Sequence, residues 1–224
     1  MRERPIIFNA EMVHAVLEGR KTQMRRIMKV QPVSPELELS RIVESTRRIE
    51  DGKFFWREPS SFVNNRRSVL FSCPFGDVGD RLWVRETWMP DAPRDGTWAD
   101  AEFYGCKGSP LSMIPKRYRK PEHCIHRASW DGSEMVGWTP SIHMPRWASR
   151  ITLEITGVRV ERLQDISEAD CAAEGLGSPF LRDYKKPKFA ALWQSIFGEE
   201  SWQANPWVWV IEFKRVEGVH VQTS

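Results

Sequence analysis

Apolar and polar positions along this chain repeat with two periods, and the switches between them mark its elements. Pro5 to Phe8 reads as a short strand. Met12, Val13, Val16 and Leu17 then fall on one helical face. Asn9 stands where it can cap that helix, and Gly19 where a left-handed turn would end it. Gly79-Asp80 is a turn signal. It leads into a strand over 81–86, in which Leu82 and Val84 alternate with Arg81 and Arg85, and Trp83 breaks the pattern. Ile151, Leu153 and Ile155 alternate, and the alternation resumes with Val158 and Val160. Gly157 is therefore expected to bulge or bend one long strand. Ser167 and Asp170 have capping-box spacing, which predicts a short helix reaching Glu174 and stopping at Gly175. A further helix is expected from about Pro187, with Phe189, Leu192, Trp193 and Ile196 on its apolar face and Gly198 at its end. From Pro206 to Lys214 both faces are apolar: Trp207, Trp209, Ile211 and Phe213 on one, Val208 and Val210 on the other. Such a segment is expected as a central or barrel strand, covered on both sides.

Two stretches lack a sustained period. Residues at about 30–72 and 89–145 carry scattered Pro and Gly, and they read as insertions within one domain spanning 1–224. The fold class expected is α+β: a mixed β-barrel with flanking helices and two long insertions. Strands and helices do not alternate regularly, which speaks against a doubly wound parallel sheet. Neither a dinucleotide fingerprint nor a P-loop is present.

Composition narrows this only mildly. The chain has 224 residues, 41% hydrophobic and 28% charged, in the range of globular proteins. Its 33 basic and 30 acidic residues leave a net charge of +3, so a nucleic-acid reading must rest on local clusters. No apolar run approaches the roughly 20 residues that span a bilayer. The N-terminal Met-Arg-Glu-Arg-Pro lacks the apolar stretch of a signal peptide. Cytoplasmic residence and no membrane partner are expected. Of the four cysteines, Cys73, Cys106, Cys124 and Cys171, none forms a C-x-x-C pair. His123, Cys124 and His126 make the one dense Cys/His patch, which Cys73 and Cys106 could complete as a zinc site. Their spacing fits no standard pattern, so reduced thiols and no metal or other cofactor are the expectation. The 11 tryptophans suit core packing and also base stacking.

The densest local chemistry follows the first helix. Between Arg20 and Lys29 five residues are basic and none is acidic. Basic side chains raised on a turn fit an anion or nucleic-acid site; they equally fit a solvated loop.

Together these segments resemble the ASCH-domain proteins of the PUA-like superfamily. The resemblance is carried by Gly19-Arg-Lys-Thr22, by Gly79-Asp-Arg-Leu-Trp-Val-Arg-Glu86 and by Trp207-Val-Trp-Val-Ile-Glu-Phe213. A larger, prophage-associated branch is the nearer likeness, through Pro140-Ser-Ile-His-Met-Pro-Arg-Trp-Ala-Ser-Arg-Ile151 and Leu163-Gln-Asp-Ile-Ser-Glu168. The likeness implies a small barrel with a cleft beside the first helix, in which RNA or a modified nucleoside binds. A small bacterial member hydrolyses the acetyl amide of N4-acetylcytidine with a Lys, a Thr three positions on, and a distant Glu. Carried over, these fall on Lys21, Met24 and Glu174. Met24 has no hydroxyl, so covalent catalysis of the usual kind has no nucleophile here.

The candidate catalytic residues are therefore Lys21, Glu174 and Thr22, the hydroxyl remaining on the turn. Arg25, Arg26, Glu86, Arg146 and Trp147 are the candidate ligand-binding residues. Arg25 and Arg26 either grip phosphates or bridge to an acid such as Glu86. Trp147 either stacks on a base or packs beneath the barrel rim. The function expected is binding of RNA or a modified nucleoside, DNA not excluded. The alternatives are an amidohydrolase for N4-acetylcytidine-type nucleosides and a phage accessory protein that binds a host protein through 89–145.

Overall fold

The computed structural model describes residues 1–59, 68–91, 111–132, 137–177 and 185–216. The strands are β1 (Glu3–Ile7), β2 (Gln23–Ile27), β3 (Glu38–Arg41), β4 (Phe54–Arg57), β5 (Arg81–Arg85), β6 (Trp88–Pro90), β7 (Cys124–His126), β8 (Thr152–Arg162) and β9 (Trp207–Val216). The helices are α1 (Ala10–Leu17), α2 (Glu168–Ala173), α3 (Lys185–Phe197) and α4 (Glu199–Gln203), with short 3₁₀ turns between. The fold is mixed α+β.

Five strands form one sheet in the order β1-β5-β8-β9-β2. β1 runs parallel to β5, and the other neighbours are antiparallel. β1 and β2 are its two edges, and among the described residues no ladder joins them. α1 leaves one edge and returns the chain to the other. The Arg26 guanidinium reaches from β2 to the Ile7 carbonyl of β1 at 3.4 Å, so the edges come close around this helix.

The caps written in the sequence are the caps observed. Asn9 Oδ1 accepts from the Met12 amide at 2.8 Å, and Gly19 takes φ of 74° just past α1. Ser167 and Asp170 form a reciprocal capping box at the head of α2. α3 begins at Lys185, two residues earlier than the reading from Pro187.

β9 explains why its sequence is apolar on both faces. Trp209, Ile211 and Phe213 enter the main core with Val13, Leu82 and Leu153. Val208 and Val210 face a second core built with Leu163, Phe189 and Trp193. The strand is the shared wall of two hydrophobic clusters, so neither face can be polar. Opposite it, β8 shifts register between Ile155 and Gly157, the bulge expected at that glycine. A Cβ on Gly157 would stand 2.6 Å from the Glu212 carboxylate, so the missing side chain leaves that acid its place.

The first insertion is less separate than its composition suggests. β3 and β4 pair as an antiparallel ribbon, and β4 delivers two aromatics to the main core. Phe54 meets Trp209 edge-on at 5.0 Å, and Trp56 packs on Trp207 at 5.1 Å. At the second insertion β6 and β7 pair, and Trp88 and Ala148, which flank it, form a small cluster with Met144. Residues 60–67, 92–110 and 133–136 of the two insertions lie outside the described set. No described helix is long and apolar enough to cross a membrane.

Candidate functional site

The site is built where the end of α2 meets the turn after α1. The Lys21 amide donates to the Ala15 carbonyl at 2.9 Å, and the Thr22 amide to Ala173 at 2.8 Å. Lys21 and Glu174 form an isolated antiparallel bridge, so two segments distant in sequence are held backbone to backbone. Gly175 makes this approach possible. Its φ is 93°, and a Cβ there would stand 2.9 Å from the Ala15 Cβ and 3.2 Å from the Lys21 Cβ. Gly175→Ala is therefore expected to cost roughly 1–3 kcal/mol, from backbone strain and a displaced Lys21 turn. Urea unfolding measures it, and an unchanged midpoint would show that the turn yields freely.

Side chains complete the junction. Lys21 Nζ donates to Glu174 Oε2 at 2.7 Å and to the Glu174 carbonyl at 2.9 Å. Arg25 Nη1 donates to the other carboxylate oxygen at 3.1 Å. Arg25 also grips Glu161, with its Nε at 3.1 Å, and lies 3.6 Å from Asp170. Arg159 ties the acids together: it bonds Glu161 at 3.1 Å, Asp170 at 2.8 Å, and Glu212. The Lys21 and Arg25 side chains are each 1% exposed and that of Glu174 is 7% exposed. Charges this dry persist only because each has partners on several sides.

Asp170 records the strength of that network. Burial alone would push its carboxyl up, but the Ser167 hydroxyl and amide, Gln23 and the Arg25 guanidinium pull it down to about 2. A lowered carboxylate pKa contributes stability above the unfolded value and loses it as pH falls through the folded one. The contribution is roughly 2 kcal/mol, present above about pH 4 and lost toward pH 2. Asp170→Asn should flatten the dependence of stability on pH in that window. Unfolding midpoints at pH 2.5 and pH 5 test this, and equal slopes for both proteins would contradict it.

Beside the Lys21–Glu174 pair opens a cavity of about 470 Å³. Its walls are mainly apolar: Met12 from α1, Met24 from β2, Leu176, and Phe189, Trp193 and Phe197 from α3. Its charged lining comprises Lys21, Arg25, Arg26, Glu11 and Glu174. Lys21 and Arg25 are engaged by buried carboxylates. Arg26 is different. It is half-buried, bonds only the carbonyls of Arg25 and Ile7 at 3.4 Å each, and forms no ion pair among the described residues. Burial lowers its pKa, and Glu174 nearby partly offsets that.

Of the residues picked from sequence, Lys21, Glu174, Arg25 and Arg26 converge here. The others, Thr22, Glu86, Arg146 and Trp147, lie outside the cavity lining. Thr22 is exposed and does not line the cavity. Glu86 is buried elsewhere in a two-pronged pair with Arg150, at 2.9 Å for each bond. Arg146 pairs with Glu3 at 2.9 Å. Trp147 packs edge-on to Trp88 at 5.4 Å in the small cluster, the packing alternative. No described residue of 89–145 lines the cavity. Arg119 of that insertion bonds the carbonyls of Ile114 and Ser112 instead.

Sequence reasoning missed Arg159, Glu161 and Phe197. The alternation Arg159-Val-Glu161 on a bulged strand was a signal for the first two, since charged residues on an inner face need each other. Cys73 sits in the main core and Cys124 in the small cluster, while Cys106 lies outside the described residues. Burial pushes the Cys73 thiol up to about 11 and that of Cys124 to about 12. Among the described residues no group of three or more His, Cys, Asp or Glu could hold a metal.

No family model matches this chain, and neither the curated proteins nor the solved structures hold a match.

Proposed function

We propose that this chain is a PUA-like protein of the ASCH type that binds a modified nucleoside or an RNA nucleotide in the cavity beside Lys21. One observation carries the reading. Lys21 and Glu174, separated by 153 positions, meet at 2.7 Å in the wall of a cavity whose remaining lining is mainly aromatic and aliphatic. A flat base suits Phe189, Trp193 and Phe197, and its exocyclic groups find hydrogen-bonding partners in the pair. The resemblance assigns its ligand-handling Lys and Glu to the same two positions. The five-stranded sheet, with α1 bridging its edges, supports an opened form of the barrel that the resemblance implies.

Amidohydrolysis is the second reading. It rests on the same pair: Lys21 as hydrogen-bond donor and Glu174 as proton acceptor, both facing the cavity. Met24 lines that cavity at the position where the resemblance implies a threonine, so binding without turnover is the expected behaviour of the natural chain. A fluorescence titration against cytidine, N4-acetylcytidine, single-stranded RNA and DNA tests the proposal. Saturation by a nucleoside supports it. Silence toward all four, with a host protein captured through 89–145, would favour the accessory-protein alternative.

A further inference from the structure

The cavity has an unspent charge. Three cations and two carboxylates line it, and Glu174 is already shared between Lys21 and Arg25. Glu11 lies on the exposed first turn of α1. Arg26 remains as a half-buried guanidinium bonded, among the described residues, to two carbonyls only, long at 3.4 Å. A guanidinium can donate five hydrogen bonds in a fixed fork, so most of its donors have no acceptor among the described residues. Burial penalises this charge, and an arriving anion would remove the penalty.

Resting on the nucleoside reading above, we infer that the ligand is a phosphomonoester, a free nucleoside 5′-monophosphate whose phosphate sits on Arg26. The rim decides between a free nucleotide and the 5′-end of a strand. Ile7, Ile196 and Phe197 line the cavity and are 44%, 49% and 40% exposed. A strand continuing past the mouth would lay further phosphates on these apolar side chains. A single nucleotide places its base on the aromatic wall and its one phosphate on Arg26, the lining cation without an ion pair among the described residues.

The test is calorimetric titration of the four ribonucleoside 5′-monophosphates, their nucleosides, inorganic phosphate and a 5′-phosphorylated RNA hexamer. The proteins are the natural chain, Arg26→Gln and Arg26→Lys, each checked by thermal unfolding. At least one monophosphate should bind about tenfold or more tightly than its nucleoside, with the gain shrinking as salt rises. Arg26→Gln should reduce that nucleotide to the affinity of its nucleoside, and Arg26→Lys should restore part of the gain. Equal affinities for nucleotide and nucleoside, or a gain that survives Arg26→Gln, would overturn the phosphate assignment and leave the nucleoside reading standing. Tighter binding of the hexamer than of any monophosphate would overturn the free nucleotide. Failure of every nucleotide and nucleoside to bind would overturn both.

Discussion

Met24→Thr should raise the hydrolysis of N4-acetylcytidine by roughly 10²–10⁴-fold over the natural chain, the range of a positioned acid/base group acting on a nucleophile. Met24 is fully buried and lines the cavity on the strand that also carries Arg25 and Arg26. A threonine there would put a hydroxyl on the wall shared with Lys21 and Glu174. The Glu174 carboxylate would take the hydroxyl proton as Oγ attacks the acetyl carbonyl. The amide C–N bond would then break, with the cytosine amine taking the proton, and water would release acetate from the acyl-threonine. The substitution also empties core volume, at a cost of roughly 2 kcal/mol, so activity should be assayed well below the unfolding temperature. Acetate release is the readout, with Met24→Thr, Lys21→Ala as the control. Strong turnover by the natural protein would show that water or another group attacks without a residue-24 hydroxyl. No turnover by either would leave the cavity a binding site alone.

Glu174→Ala is expected to be the most destabilising single change in the site, by roughly 3–5 kcal/mol. The carboxylate divides its oxygens between Lys21 and Arg25, at 2.7 Å and 3.1 Å. Removing it leaves two nearly dry cations, of which Arg25 keeps Glu161 and Asp170 while Lys21 keeps, among the described residues, the residue-174 backbone carbonyl and the Phe8 ring at 5.9 Å. The cost should therefore fall on Lys21. Adding Lys21→Met to Glu174→Ala should recover a large part of the loss, because it removes the uncompensated charge rather than a contact. Urea unfolding of the single and double variants reads both effects. A single-variant loss under about 1 kcal/mol would mean that water reaches the pair and that the network is not closed.

The legible parts of this molecule were those set by local chemistry. Asn9, Gly19, Ser167 with Asp170, Gly175 and Gly198 mark helix ends because caps and left-handed turns are decided within a few residues. The double apolar face of β9 announced a strand between two cores for the same reason: each residue's side of the sheet follows from the period alone. β2 was not legible. Gln23, Met24 and Arg25 are all buried, so no alternation survives, and the polar members find their partners, Arg159 for Gln23 and Glu161 and Glu174 for Arg25, 136 to 149 positions away. Glu86 failed for the mirror reason. Its strand was read correctly, but its partner Arg150 lies 64 residues on, and a buried carboxylate in a private ion pair has the same sequence signature as one in a site. Lys21 and Glu174 came from the resemblance, since no periodicity joins two residues across that distance.

Direct titration of N4-acetylcytidine into the natural chain and into Phe197→Ala tests the central claim most closely. Phe197 is 40% exposed and packs at a tilt against Trp193 at 4.5 Å, so its loss should leave the fold intact while removing one aromatic wall. One-to-one saturable binding by the natural chain, weakened roughly tenfold or more in the variant, is the expected result. Absent binding, or equal affinity in both proteins, would contradict a nucleoside seated in this cavity.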